Sequence, residues 1–456
     1  MKILMISAGL MPKRDGGVPL YVDHVRRELS RRGHDVTYLD TYCQDNTRRP
    51  RIVQTKNFPS EYSFFNSGSR PPWVYMPTPL SDIHASPAAR NCFAAFLAAL
   101  KPDIVHVHEM FCVPFELIAM SRALGYKLVL TTQDYFVLCP TIQLFKYDRH
   151  VCKLTAPELQ CHKCVRHWPE ARLRPATARI VRSIKGSFLD RRPFGGALRR
   201  CGGVIDKIVA PFLYRGSQYH DRRSEAVKYL RAFHLIICMS QLQSRLTSEV
   251  SGANLPVRQV YLSLPTYSFQ QRAIPAATAH SAQAPVRFAA LNINHTVKGR
   301  ELLLAEFQSL RSVMSNVELH LFGSAEGAEL PGVFYRGKYV SKDLDELLST
   351  IDAGIIPSIW PEAYAYVGPE MLSRGIPLIV STAGAMQEYV VPNFNGVHFD
   401  PAKPGALCSA MELLASNTQL REQMRANAPK SRQAIREFPA HVDEMEAIYA
   451  EILGQQ

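Results

Sequence analysis

The 456-residue sequence has no apolar run approaching the roughly 20 residues that a membrane-spanning helix requires, so no transmembrane segment is expected. Its N-terminus superficially resembles an export signal. The apolar stretch is short, however, and a charged cluster at Lys13, Arg14 and Asp15 follows directly. No small-residue cleavage site appears either. These absences predict a cytoplasmic protein, in which the ten cysteines serve mostly as thiols or metal ligands rather than disulfides. There is no GxGxxG dinucleotide fingerprint, so a nicotinamide cofactor is not expected. No zinc-finger, RRM or helix-turn-helix pattern supports nucleic acid as a partner, and no repeat of solenoid period is present. Acids are in deficit as well. With 40 Asp and Glu against 53 Lys and Arg, the formal net charge is +13. That balance favours an acidic partner such as nucleotide phosphates or anionic lipid.

What is present has an α/β rhythm. A strand over 3–7 leads to Gly16-Gly17, which opens a helix carrying Val18, Val22, Val25 and Leu29 on one face; Gly33 closes it before a strand over 36–39. Residues 44–90 read as irregular surface loops. Strands over 104–107 and 127–131 follow, the second running into Gln133-Asp134. Residues just past the carboxyl end of a parallel strand are where open α/β sheets place ligands. His106 reads as a packed, hydrogen-bonded strand residue, and Ser240 as a helix N-cap after a later strand. A Pro, Ala and Ser-rich linker over 266–284 precedes a second α/β unit. Its strand over 287–291 enters a polar turn with Asn292, Asn294 and Lys298. A helix to about 313, a strand over 318–322 ending at Gly323, and a strand over 352–357 come next.

Residues 139–232 break the rhythm. Cys139, Cys152, Cys161 and Cys164 fit a closed, structural zinc site, with disulfides, free thiols or an iron–sulfur cluster as alternatives. A basic segment follows, in which Trp168, Phe188 and Phe194 lie among many arginines. Such a pattern predicts peripheral contact with an anionic membrane.

The stretch over 357–389 carries the densest chemistry. Glu362 and Glu370 flank a short aromatic loop, and Pro369 suits the first position of a helix that Gly375 stops. Free N–H groups at a helix start attract anions, whereas carboxylates accept sugar hydroxyls. A ligand carrying both kinds of group is a nucleotide sugar.

In order along the chain, Lys298-Gly299, Gly323, Asp352-Ala353-Gly354, Pro357-Ser358, Glu362 and Glu370 in an E-x7-E arrangement, Gly375-Ile376-Pro377 and Gly384 with Glu388 resemble the retaining glycosyltransferases of family four. Gly16-Gly17 and the 103–106 stretch agree. The resemblance implies an α/β GT-B fold: two Rossmann-like domains facing across a cleft, with a Cys-containing basic insertion in the N-terminal domain. It divides the chain into an acceptor domain over 1–265, the linker, a donor domain over 285–430, and a C-terminal helix over 431–456 that returns to the N-terminal domain. It further implies that Glu370 takes the ribose hydroxyls, that Glu362 holds the donor sugar, and that Lys298 with backbone N–H groups neutralises the diphosphate without a catalytic metal. Asp134 and Gln133 join the catalytic set. Gly16, Gly17, Asn292, Asn294, Gly323, Tyr364, Ala365, Tyr366 and Val367 join Glu370 on the donor. The implied partners are a UDP-, GDP- or ADP-type sugar and a saccharide or lipid-linked acceptor, in surface glycan synthesis on the inner face of a membrane.

Three departures from the family pattern concern donor recognition: no arginine precedes Lys298, Gln133 stands for a histidine, and Ala365 stands for a glycine. They keep two other readings open, a nucleotide-sugar epimerase of the same fold and a non-catalytic GT-B subunit.

Overall fold

The computed structural model of the protein describes residues 1–10, 13, 14, 16–45, 47–55, 58–68, 84–154, 161, 163, 164, 222–251, 254–267, 284–323, 327–431 and 435–454. The basic segment with Trp168, Phe188 and Phe194 lies outside them, as does most of the 266–284 stretch. Among the described residues no helix is long and apolar enough to cross a membrane.

Strands β1 (Lys2–Ser7), β2 (Asp35–Cys43), β3 (Arg51–Thr55), β4 (Phe58–Phe65), β5 (Ile104–Val107), β6 (Lys127–Thr132), β7 (Leu235–Cys238) and β8 (Val257–Gln259) form one sheet, in the order β3-β4-β2-β1-β5-β6-β7-β8. Strands β9 (Val286–Leu291), β10 (Val317–Phe322), β11 (Val333–Gly337), β12 (Ala353–Ile356), β13 (Leu378–Ser381) and β14 (Gly396–Phe399) form a second, in the order β11-β10-β9-β12-β13-β14. Every pairing in the second sheet is parallel. Strands β5, β7, β12 and β13 are buried along their whole length. Continuous apolar runs of this kind are what a sheet covered on both faces requires.

The helices are α1 (Gly17–Arg31), α2 (Pro87–Leu100), α3 (Phe115–Ala123), α4 (Arg222–Leu230), α5 (Gln241–Ser251), α6 (Arg300–Val313), α7 (Leu344–Leu347), α8 (Val367–Leu372), α9 (Ala406–Ser416), α10 (Thr418–Asn427) and α11 (Phe438–Leu453). In α6, Leu303, Phe307 and Leu310 recur at helical spacing and join Phe288, Leu319, Ile355, Leu407 and Met411 in the core over the second sheet. Ser240 does cap α5, its hydroxyl accepting from Gln243 N at 3.2 Å. Ser86 does the same for α2 through Ala89 N at 3.1 Å, with Pro87 in the first turn.

The chain divides into two compact units. One holds Met1–Arg14, His34–Ile236 and Glu249–Pro256; the other holds Asp15–Gly33, Ile237–Ser248 and Val257–Gln456. Within the second unit α1 packs on α11. Tyr21 Oη and His441 Nε2 are 2.9 Å apart in its interior, and Arg32 reaches both Asp443 and Glu446 at 2.5 Å.

Two expectations are corrected. The 44–90 stretch is not all loop, because it contributes β3 and β4 to the edge of the first sheet, paired antiparallel to each other with β4 parallel to β2. Both strands are largely half-exposed, which leaves little of the alternation that marks a strand. Pro369 is the third residue of α8 rather than the first. A proline anywhere in the first turn is tolerated, since those N–H groups have no intrahelical acceptor.

Candidate functional site

In the second sheet the chain runs outward from β9 to β11, then returns to β12 beside β9. The loops leaving β9 and β12 therefore meet at a topological switch point, the usual ligand position in open α/β sheets. They are tied together: Ile359 N donates to Val297 O at 2.9 Å, and a Cβ on Gly299 would overlap the Pro357 carbonyl. Gly299 also sits at φ +79°, so glycine is required there twice over.

This junction brings Lys298 to Glu362. The ammonium bonds directly to the carboxylate, which is 5% exposed, and lies 5.7 Å from the centre of the Trp360 ring. Ser358 Oγ donates to the other carboxylate oxygen at 2.5 Å. Backbone fixes the rest: Ala385 N donates to Glu362 O at 2.8 Å, and Gly384 lets the chain pass so near that a Cβ would stand 2.8 Å from Glu362 N. A buried carboxylate needs such partners to remain charged. Ser358 and Trp360 were not foreseen as site residues, although both flank Glu362 in sequence.

Beyond Glu362 the chain turns at Ala365, whose φ is +59°. The left-handed conformation explains why a glycine is the expected residue there; alanine occupies it at a cost of about 1–2 kcal/mol. Ala365 O accepts from Gly368 N at 3.0 Å and from Tyr389 Oη at 3.3 Å, which holds the turn. The Gly368 N–H is thus already used at the start of α8. Tyr364 is buried, and Tyr366 and Val367 are half-buried. The Tyr366 ring lies against Gly17, where α1 begins, so the glycine pair and the aromatic loop meet inside the second unit.

Glu370 is 5% exposed, and burial pushes its carboxyl up to about 7, opposed by the hydroxyl of Thr266 at 3.1 Å and by Arg374. Asn292 and Asn294 sit at the exit of β9. Asn292 is left-handed at φ +54° and donates to Tyr339 Oη at 2.8 Å, while Asn294 donates to Gly323 O at 2.7 Å. Gly323 is needed because a Cβ there would overlap Asn292 Oδ1. Glu388 has a different task. Its carboxylate accepts from Gln241 N and Leu242 N, both at 2.8 Å, and from Tyr261 Oη at 2.9 Å, which caps the start of α5.

The other two expected catalytic residues belong to the first unit. Asp134 follows β6, accepts from Phe136 N at 2.8 Å, and is pushed up to about 6 by burial, aided by Glu109 and opposed by Arg14 and Arg222. Gln133 is half-buried beside it. Glu109, at the exit of β5, accepts from Arg14 at 2.6 Å and from Ala8 N at 3.2 Å. It escaped notice because a single acid after a strand has no distinguishing spacing.

Cys139 is buried, whereas Cys152, Cys161 and Cys164 are half-buried; all four are free thiols. Burial raises the last three, and neighbouring thiols of the set add to it. Among the described residues, however, no three or more His, Cys, Asp or Glu side chains are arranged to hold a metal ion.

Comparison with known proteins gives two family matches. Residues 280–431 match the model described as "Glycosyl transferases group 1", and residues 15–185 the model described as "Glycosyltransferase Family 4". An uncharacterized glycosyltransferase of Methanocaldococcus jannaschii is 28% identical over 98 residues, which is 22% of this chain and 25% of that protein's own length. Among solved structures, sucrose-phosphate synthase from Thermosynechococcus elongatus superposes with a TM-score of 0.66 at 14% identity, over 100% of this chain and 99% of its own. Anabaena HepE in complex with UDP and glucose gives 0.58 at 14%, over 99% of each chain. The trehalose-phosphate synthase of Burkholderia xenovorans, in complex with glucose-6-phosphate, gives 0.58 at 11%, over 98% of this chain and 100% of its own. The two parallel-sheet α/β domains are those of the GT-B fold.

Proposed function

We propose that this GT-B glycosyltransferase moves a hexosyl group, with retention of configuration, from a nucleotide sugar to a saccharide or lipid-linked saccharide acceptor in surface glycan synthesis. The observation that carries the reading is the juxtaposition of Lys298 with Glu362 at the switch point of the second sheet, with Glu370 held in the helix that follows. Glu370 accepts the ribose hydroxyls and Glu362 the hydroxyls of the donor sugar. Glu362 pairs with the Lys298 ammonium, and a diphosphate gives the same ammonium a second anion. Its fixed charge stabilises the departing diphosphate in the way a divalent cation does in other enzymes.

In the reaction the bond from the anomeric carbon to the diphosphate oxygen breaks as the acceptor oxygen bonds to the same face. The acceptor proton passes to the departing phosphate oxygen. No protein base is needed, so the chain's contribution is to hold charge and position where the transition state develops them. UDP is the first donor type to test, because a structural neighbour was solved with it; GDP and ADP types follow. The basic segment after the cysteines would place the enzyme on the inner face of an anionic membrane. Vesicle co-sedimentation that rises with anionic lipid and falls with salt is the expected result.

The deciding experiment incubates the purified protein with UDP-, GDP- and ADP-sugars and follows both nucleotide release and donor structure. Release of nucleoside diphosphate, reduced about 100-fold by Lys298→Ala and abolished by Glu362→Gln, supports transfer. Isomerised donor without release would favour the epimerase, and binding of no nucleotide sugar would leave a non-catalytic subunit.

A further inference from the structure

Arg222 is the first residue of α4 and is 4% exposed, so a guanidinium that never loses its charge is held out of water. It grips the loop that leaves β6. Nη2 donates to Phe136 O at 2.5 Å and Nη1 to Val137 O at 3.4 Å, and the guanidinium carbon lies 4.8 Å from the centre of the Phe136 ring. The same ring meets Phe111 edge-on, with centres 6.2 Å apart. Phe136 N in turn donates to Asp134 Oδ1 at 2.8 Å. One residue is thus held by Arg222 at its carbonyl and its ring, and holds the Asp134 carboxylate through its amide. Arg223 extends the grip, donating Nε to Leu138 O at 3.4 Å and Nη1 to Leu154 O, just past Cys152, at 2.8 Å. All of these residues belong to the first unit.

A buried guanidinium is a costly way to gain stability alone, because an apolar side chain fills similar volume without the desolvation penalty. What two adjacent arginines supply is direction: they fix the carbonyls of 136, 137 and 138 in a loop that begins at Asp134. We propose that Arg222 is a positioning residue for the transfer reaction, setting through Phe136 the orientation of the Asp134 carboxylate. The proposal rests on the reading that Asp134 takes part in transfer. Burial pushes the Asp134 carboxyl up to about 6; the Phe136 N–H opposes this, Glu109 at the exit of β5 adds to it, and Arg14 and Arg222 oppose it. The amide and the guanidinium therefore both favour the charged form. Removing the Arg222 charge leaves burial and Glu109 less opposed, so the carboxyl should titrate at higher pH.

Steady-state transfer assays across pH, with calorimetric titration of UDP, GDP and ADP, test this in the full chain. Arg222→Met loses both the donors and the charge, and its kcat is expected to fall about 10- to 100-fold. Its nucleotide affinity should be unchanged, since Lys298, Glu362 and Glu370 lie in the second unit. The acid limb of its pH profile should move above that of the unmodified protein. Arg222→Lys keeps the charge without the fork, so kcat should fall while the limb stays. In an Asp134→Asn background, Arg222→Met should add little, which a purely structural role would not produce. A methionine variant that binds nucleotide and keeps both kcat and the limb overturns the proposal, as does an equal loss in the two backgrounds. If the methionine variant fails to fold, the lysine variant decides, and full kcat in it overturns the proposal. Undiminished turnover in Asp134→Asn alone means that the reading of Asp134 has failed, and the role of Arg222 falls with it.

Discussion

Tyr366 rests its ring on Gly17, so that a Cβ there would stand 2.6 Å from Cδ2 and 2.9 Å from Cε2. Gly17 is the first residue of α1, where alanine is otherwise an excellent helix former. The missing side chain therefore serves packing against the aromatic loop, not backbone freedom. Gly17→Ala is expected to cost about 1–3 kcal/mol through overpacking. The cost should shrink in a Tyr366→Ala background, giving a coupling that a double-mutant cycle in urea reads directly. Equal costs in the two backgrounds would remove the contact from the account.

Ala365 carries the second steric prediction. At φ +59° a side chain is strained, and the residue is buried. Ala365→Gly relieves about 1–2 kcal/mol of strain and gives back about 0.5–1 kcal/mol in chain entropy, so its melting temperature should match or slightly exceed the unmodified value. Ala365→Val, branched at Cβ, is expected to lose about 2 kcal/mol or more. A valine variant of undiminished stability would show that the turn is not held in this conformation.

Glu370 predicts a pH dependence. Burial raises its carboxyl from an ordinary 4.5 to about 7 in the folded protein. Between those values the native state binds more protons at this site than the unfolded chain, so the Glu370 contribution to stability falls as pH rises from about 4.5 through about 7. It is fully present below the lower value and lost above the upper one, on the order of 3 kcal/mol in total. Glu370→Gln cannot titrate, and its stability relative to the unmodified protein should climb across that window and flatten above it. Chemical denaturation at a series of pH values measures the difference. A constant offset would mean that the carboxyl titrates normally.

The cysteine cluster yields a compositional test. If Cys139, Cys152, Cys161 and Cys164 hold a structural zinc ion, elemental analysis of protein purified without chelator should find about one zinc per chain. Cys161→Ser and Cys164→Ser should each release it, leaving nucleotide binding unaltered. Protein without zinc whose four thiols all react with a thiol reagent under native conditions would favour free cysteines.

Much of the fold could be read from residues alone. Fully buried strands such as 104–107 and 353–356 announce themselves as apolar runs bounded by turn residues, and α6 shows Leu303, Phe307 and Leu310 at helical spacing. The edge strands β3 and β4 gave no such signal, since half-exposed residues carry weak alternation. Glu362, Lys298 and Glu370 were legible because the motif is local and ordered. Tyr339 and Trp360 were not, because their significance lies in what they touch.

The sequence by itself determined the alternating α/β architecture, the two glutamates and their lysine, and the positions where glycine or its absence would matter. Those are properties of spacing and of single-residue chemistry, which a chain carries before it folds. Only the tertiary structure decided the rest: that Lys298 is paired to Glu362, that Ala365 is left-handed, that Tyr366 lies on Gly17, and that Asn292 holds a tyrosine 47 residues further on. Each of those contacts is set by how strand ends converge at the edge of a sheet, and strand order is not written in any one stretch of sequence.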